Sequence, residues 1–224
     1  MSILGDAVAQ NPHVVKGAEA IPGLFDLLAL AFESESLIVS IPALHSFTKL
    51  LVTKDSELSG AMGQRVALLL GVCSQRLIRY ESFLESDNPI VLYLNEDFET
   101  LPELHAFLGN YRRYCIAIIE GIACAMPQEA ITYILDQTVQ MVDTVCREFS
   151  PPFPSKSFLG DMGARLTPTT AVQSSKPALE VLQLEAQASV LRSTLNGFGQ
   201  WLSKLNGKDG GAASRLNQTL QLSY

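Results

Sequence analysis

The chain has 224 residues, of which 47% are hydrophobic and 17% are charged, and its net charge is −7 at pH 7. This composition supports a continuous buried core and does not match the low hydrophobicity and high charge of disordered chains. Nucleic-acid platforms carry clustered Lys and Arg, because phosphate binding releases counterions. The densest basic group here is only Arg112–Arg113, with Arg76 and Arg79 elsewhere. The composition therefore argues against RNA binding by this segment.

Cysteine usage and the longest apolar run indicate the compartment. Cys73, Cys115, Cys124 and Cys146 form no CxxC pair and lie in apolar helical runs. This pattern predicts reduced core thiols, with no metal and no cofactor. The run Val66–Val72 is too short to cross a bilayer, and the first residues lack a signal-peptide pattern. We therefore expect a protein of the nucleus and cytoplasm that does not insert into membranes.

The first half of the chain shows helical periodicity. Residues 22–34 place leucines on one face, and Pro22 suits a first helical turn. Residues 37–53 predict a second helix, in which Pro42 lies near the start or forms a kink. Apolar residues then recur at three- and four-residue steps, which predicts one long helix over 60–85.

Two long helices are predicted in the second half. Residues 91–94 are apolar like a strand but have no partner strand, so we interpret them as a loop. Thr100 and Glu103 form a capping box that begins a helix over 101–126. The next helix, over 127–148, must run antiparallel to it because almost no loop joins the two. We expect this helix to bury the stripe Leu104, Phe107, Tyr111, Ile118 and Ile122.

A long connection separates these helices from the last elements. Residues 149–176 are proline-rich without a helical stripe, which predicts a long loop or linker. Residues 177–205 predict another helix, and residues 215–224 begin one more. The predicted organisation is therefore stacked antiparallel helix pairs over 1–148, the linker, and a further long helix with the truncated end of the array over 177–224. The apolar face predicted for the last long helix comprises Leu184, Ala188, Leu191, Leu195, Phe198, Leu202 and Leu205.

The order of elements predicts the fold class. No alternation of strands and helices is visible, which argues against a doubly wound sheet. A pair of antiparallel helices cannot bury its apolar faces alone and stacks on neighbouring pairs. The prediction is an all-α, HEAT-type helical-repeat solenoid, with an irregular helical bundle as the alternative.

No catalytic constellation is present. His13, His45 and His105 are isolated, and the chain contains no HExxH, GxSxG, Walker or GxGxxG motif. We therefore expect a binding protein rather than an enzyme.

One charged feature has candidate function, the group that we call the acidic surface: Glu96, Asp97, Phe98, Glu99 and Glu103. It is interpreted either as a solvated acidic loop before a helix N-terminus or as a contact surface for a basic partner segment. A metal site is a further alternative, although the spacing does not match a calcium loop.

Three segments of the chain resemble a known protein family. The run LIVSIPALHSFTKLLVTKD at 37–55 is similar to an exportin helix, with Phe47 where tryptophan is frequent. The segment 93–134 resembles the exportin-five group of importin-β-like karyopherins, including its fungal phosphoprotein-exporting member, and residues 178–198 resemble the helix that follows. The residues that carry the second resemblance are Glu96, Asp97, Phe98, Thr100, Glu103, Leu104, Phe107, Tyr111 and Arg112.

The resemblance implies a function and partners. Its members are nucleocytoplasmic transport receptors that bind protein cargo under the control of Ran-GTP and contact nuclear pore proteins. Whole receptors are several times longer than this chain, so the resemblance implies an internal fragment. Two other hypotheses remain: a helical scaffold or adaptor unrelated to transport, and an enzyme that holds a divalent cation at the acidic surface.

Overall fold

The computed structural model describes residues 20–53, 56–82, 84, 87–148 and 179–208, together with Gln10. Within these residues the fold is all-helical, with helices packed in a repeat-like arrangement and no strand, as the sequence predicts. The helices are α1 (Ala20–Phe32), α2 (Leu37–Leu50), α3 (Ser56–Gly63), α4 (Val66–Arg76), α5 (Pro89–Asp97), α6 (Leu101–Ala125), α7 (Pro127–Glu148) and α8 (Leu179–Lys208), and a 3-10 turn covers Tyr80–Ser82.

The first two helices form a hairpin around an aromatic core. Ser36 caps α2, because its side chain accepts a hydrogen bond from the backbone N–H of Val39. Phe47 packs edge-on against Phe32, with ring centroids 5.6 Å apart. The ring centroid of Phe25 lies 6.2 Å from that of Phe47. All three phenylalanines are fully buried. Pro42 lies inside α2, at its sixth residue, and not in the first turn.

The single long helix predicted over 60–85 is wrong. The structure has α3, α4 and a 3-10 turn in that region. The first break follows Gly63, where the backbone N–H of Arg65 donates to the carbonyl oxygen of Met62 in a tight turn. Glycine weakens a helix interior, so the periodic apolar pattern does not keep the helix continuous there.

The loop predicted at residues 91–94 is also wrong, because these residues lie within α5. Asn88 caps this helix by accepting a hydrogen bond from the N–H of Ile90, and Pro89 occupies the first turn. Val91 and Leu94 are buried on one side of α5, whereas Leu92 and Tyr93 between them are exposed. Residues 91–94 therefore look like an apolar strand in the sequence although they belong to a short helix.

Helix α6 forms the centre of the fold. Its stripe is buried as predicted at Leu104, Tyr111, Ile118 and Ile122. The burial predicted for Phe107 is wrong, because this residue is only partly buried and packs at the edge of the core. The prediction that α7 is the main partner of this stripe is also wrong. Helix α6 packs most extensively on α8, then on α4 and α2, and less on α7.

Helix α8 runs parallel to α6. Asn196 donates to Glu120 (3.1 Å) and Lys204 contacts the Sγ of Cys124 (3.0 Å), so contacts advance along both helices in the same direction. Met126 alone separates α6 from α7, so these two helices run antiparallel to each other. Because α8 runs parallel to α6, it is antiparallel to α7.

Most of the apolar face predicted for α8 does not meet the core, although Leu191 is partly buried and packs against it. The buried residues are instead Leu182, Ala186, Gln187, Val190, Ser193, Thr194 and Gly197.

Several predictions lie outside the described residues. These are the linker over 149–176, the helix beginning at 215–224, and the residues before α1 apart from Gln10. The division of the chain at residues 148 and 177 therefore stays a prediction.

Candidate interaction surface

The acidic surface lies at the corner between α5 and α6. Glu96 and Asp97 end α5, Glu99 stands in the connection, and Glu103 belongs to the first turn of α6. All four carboxylates are exposed to solvent. The structure therefore brings together the residues that the sequence singled out.

Glu103 has a local structural role. The backbone N–H of Glu103 donates to the hydroxyl oxygen of Thr100 (3.4 Å), and that hydroxyl donates to the carboxylate of Glu103 (2.9 Å). These bonds cap α6, and a negative charge in the first turn complements the helix dipole. The capping prediction is confirmed, and it explains Glu103 without a partner.

Phe98 anchors the corner instead of projecting from it. Its ring lies 4.7 Å from that of Phe107, centroid to centroid, and the ring of Phe107 lies 5.9 Å from that of Tyr111. Phe98 is half-buried. The aromatic chain fixes the connection to α6, so that the carboxylates around it are held on an ordered corner.

Exposed apolar residues border the carboxylates. Leu92 and Tyr93 are exposed on α5, and each lies four residues before a carboxylate, Glu96 and Asp97 respectively. Residues at this spacing are neighbours on a helix surface. Leu101, at the start of α6, is exposed as well. The clustering of charges in the sequence pointed to the carboxylates but not to Leu92, because residues 91–94 were interpreted as a loop and not as one face of a helix.

In the part of the chain that the structure describes, no basic side chain pairs with the carboxylates of this corner. None of the ion pairs between described residues involves Glu96, Asp97 or Glu99. In that same part of the chain, no group of three or more His, Cys, Asp or Glu side chains is arranged to hold a metal ion. The arrangement is that of a charged and partly apolar surface.

Arg112 is engaged elsewhere. Its two terminal nitrogens donate to the two oxygens of Glu81, each at 2.9 Å. Burial alone would raise the pKa of the Glu81 carboxyl, but these bonds, with the backbone N–H and Arg79, outweigh burial and lower that pKa. The ion pair links the 3-10 turn to α6. The charge of Arg112 is therefore paired with Glu81 and not with the carboxylates of the acidic surface.

A buried polar cluster supports α6 from the other side. Arg76 is buried and donates to the carbonyl oxygens of Ser34 (2.7 Å) and Glu33 (3.3 Å), which fixes the α1–α2 turn. The hydroxyls of Ser40 and Tyr111 are 2.6 Å apart. The burial of Arg76 was not predicted from the sequence, although its place among the apolar positions of α4 is the signal that could have revealed it.

The cysteines and histidines whose side chains the structure describes show no catalytic arrangement. Cys73, Cys115 and Cys124 are buried free thiols, and burial, with the adjacent Cys115 thiol, raises the pKa of Cys73 well above its usual value. His45 stacks against Tyr114 with ring centroids 4.6 Å apart, and His105 is exposed. The raised pKa of Cys73 disfavours the thiolate that nucleophilic chemistry at this residue would require.

The stacked helices and their exposed side-chain surfaces show that the protein is an α-helical repeat protein. The chain belongs to the Exportin-5 family, whose model matches residues 2–222. The chain therefore belongs to an exportin-type karyopherin family. No helix among the described residues has the length and hydropathy of a membrane span.

One curated relative is an uncharacterized protein of Schizosaccharomyces pombe, which is 33% identical to the chain over 69 residues. The matched segment covers 30% of this chain and 6% of the relative, so the relative is much longer than this chain. No solved structure matches the chain.

Proposed function

We propose that this chain forms part of the wall of a HEAT-type nuclear transport receptor that carries protein cargo under the control of Ran-GTP. The observation that carries the proposal is the family match over residues 2–222, in a chain whose described residues form stacked helices. The similarity of the acidic corner to the phosphoprotein-exporting fungal member favours that subgroup. Such a receptor works in both nucleus and cytoplasm and contacts pore proteins.

The physical basis of such a receptor is coupling between two ligands. Ran-GTP and cargo each favour particular curvatures of a flexible solenoid. If both favour the same curvature, each raises the affinity for the other by the same factor. Hydrolysis of GTP removes one of the two contributions, and cargo affinity then falls.

The acidic surface is proposed as a contact for a basic segment of a partner. Exposed carboxylates attract Lys and Arg and accelerate association, while neighbouring apolar side chains supply the buried contact. Glu96 and Asp97 provide the charge beside Leu92 and Tyr93 on one face of α5. An acidic protein surface of this kind favours protein over RNA as the ligand.

The transport proposal is tested by titrating the chain and its full-length parent with Ran-GTP in a calorimeter. We expect tight binding by the parent and weak or no binding by the 224-residue chain, because receptors of this class enclose their partners with many repeats. The proposed status of the chain as an internal piece is supported by the greater length of the yeast relative. A parent that ignores Ran-GTP would leave the scaffold alternative.

The acidic-surface proposal needs a separate probe, an amphipathic peptide of Lys and Leu. The variant E96Q/D97N should weaken peptide binding severalfold at low salt, and the difference should shrink as salt is raised. The matched control E33Q/E129Q removes two exposed carboxylates elsewhere and should leave binding unchanged. Equal effects of both variants would show attraction by net charge alone.

A further inference from the structure

A cysteine and a lysine meet where α8 packs closely on α6. The Nζ atom of Lys204, on α8, lies 3.0 Å from the Sγ atom of Cys124, on α6. The helices are in tight contact beside this pair, because a Cβ atom at Gly197 would lie only 2.8 Å from the Cβ atom of Ala123. Close packing of the two helices therefore sets the backbone positions from which the amine and the thiol meet.

Cys124 is also the described cysteine that oxidants in solution reach first. Cys73 and Cys115 are 0% exposed in the core, whereas Cys124 is 8% exposed and Lys204 beside it is exposed. The susceptibility of a thiol to oxidation rises with its access to solvent. Hydrogen peroxide should therefore modify Cys124 before the two core thiols.

The Lys204 amine is placed to react with an oxidised sulfur. No ion pair between described residues involves Lys204, so no carboxylate in that part of the chain holds the amine away from the sulfur. Reacting atoms held about 3–3.5 Å apart need little further positioning, which accelerates their reaction greatly compared with two free molecules. The flexible four-carbon stem of lysine allows the remaining approach without movement of the helices.

We propose that Cys124 and Lys204 form a reversible covalent bridge, a sulfenamide, when the protein meets hydrogen peroxide. In the first step the sulfur of Cys124 attacks one peroxide oxygen, the O–O bond breaks, and the thiol proton leaves with the other oxygen as water, which gives a sulfenic acid. In the second step the Lys204 amine, after losing its ammonium proton to solvent, attacks the sulfur. The S–N bond forms as the S–O bond breaks, and the hydroxyl group leaves as water with a proton from the amine. The sulfur is oxidised by two electrons, and the peroxide is reduced to water.

The bridge joins α6 to α8, which are distant from each other along the chain. It closes a loop from residue 124 to residue 204, which removes conformations from the unfolded chain and so stabilises the folded one. A thiol reverses the bridge: the thiol sulfur attacks the sulfur of Cys124, the S–N bond breaks, and the amine takes the thiol proton. A second thiol then frees Cys124 from the mixed disulfide. The pair is thus an oxidation-sensitive link across the α6–α8 contact, and it does not depend on the transport function proposed above.

Peptide mapping of the 224-residue chain after treatment with hydrogen peroxide tests the bridge. Mass spectrometry should find the Cys124 peptide joined to the Lys204 peptide, with a mass lower than their sum by two hydrogen atoms, and dithiothreitol should separate them. Lys204→Arg should abolish the joined species and raise the trapping of the Cys124 sulfenic acid by dimedone severalfold. The matched control is Lys49→Arg, a substitution of the same kind at an exposed lysine of α2, which should leave the joined species unchanged.

Thermal denaturation gives a second readout of the bridge. Oxidation should raise the Tm of the wild-type chain by about 5 °C or more, reversibly with dithiothreitol, and should not raise the Tm of the Lys204→Arg variant. The proposal is overturned if peroxide yields no joined species, if Lys204→Arg keeps that species, or if Cys124 joins another cysteine instead. It is also overturned if Cys73 or Cys115 is oxidised while Cys124 stays reduced.

Discussion

At the residue scale, the buried hydroxyl pair between α2 and α6 is the clearest source of specific stability. The hydroxyls of Tyr111 and Ser40 are 2.6 Å apart, and burial raises the pKa of Tyr111 above its ordinary value. Tyr111→Phe removes one partner and should lower the free energy of unfolding by about 1 kcal/mol. Ser40 keeps its bond to the carbonyl oxygen of Leu37, which limits the loss.

Urea denaturation at neutral pH measures this effect. The matched control is Tyr114→Phe, because Tyr114 is an exposed tyrosine of the same helix, three residues further along. It should change the stability by less than about 0.5 kcal/mol. Equal losses in the two variants would mean that the hydroxyl pair adds nothing to the fold.

The ion pair between Glu81 and Arg112 predicts that the stability of the fold depends on pH in the acidic range. An unfolded glutamate has a pKa of about 4.3, and the folded pKa of Glu81 is lower. The stabilisation is therefore present above about pH 4.3 and is lost as the pH falls through the folded pKa. Glu81→Gln should cost about 2 kcal/mol at pH 7 and much less near pH 3. Urea midpoints across this range provide the measurement, and a constant difference at all pH values would contradict it.

At the element scale, the contact of α8 with α6 depends on one glycine. A Cβ atom at Gly197 would clash with the carbonyl oxygen of Glu120 and would lie 2.8 Å from the Cβ of Ala123. Gly197→Ala should therefore destabilise the protein by about 1–3 kcal/mol, as overpacking does elsewhere.

Gly199 is the matched control on the same helix. A Cβ there meets no atom within 4 Å, so Gly199→Ala should stabilise the helix by about 0.5–1 kcal/mol through its better helix propensity. Thermal denaturation of both variants compares the two effects. Stabilisation by both alanines would show that α8 does not approach α6 as closely as described.

The same helix shows where sequence reasoning succeeds and where it stops. The bounds of α6 and α7 were predictable within about a residue, because a capping box and a proline mark their starts. The core-facing side of α8 was not predictable, since close packing on α6 selects small residues such as Ala186 and Gly197. The strongest leucine stripe of the helix, which includes Leu195, remains at the surface. Hydrophobic periodicity finds an apolar face but does not say which neighbour covers it.

The acidic corner shows the same limit at the candidate site. Its carboxylates and the cap at Thr100 were predictable, because they depend on adjacent residues. The packing of Phe98 on Phe107 was not, since it depends on the angle between α5 and α6. Burial of Phe107 was overestimated for that reason: the residue that covers it comes from the connection and not from a full helix.

At the scale of the whole molecule, α8 belongs to the same packed unit as α1–α7 despite the long connection before it. Its buried face meets α6 and α7, and Arg79 lies 3.9 Å from Glu185. In a helical-repeat array, each helix is held by its nearest neighbours rather than by the chain connection. Residues 1–150 and 177–224, expressed as two separate chains, should therefore associate into a one-to-one complex.

Cutting the connection makes the association bimolecular, so the complex should dissociate on dilution whereas the intact chain does not. Gly197→Ala in the shorter piece should weaken the complex, because it disturbs the contact with Glu120, and Gly199→Ala should not. Copurification followed by light scattering measures the association. Two pieces that stay apart at every concentration would show that the connection, and not the α6–α8 packing, keeps α8 in place.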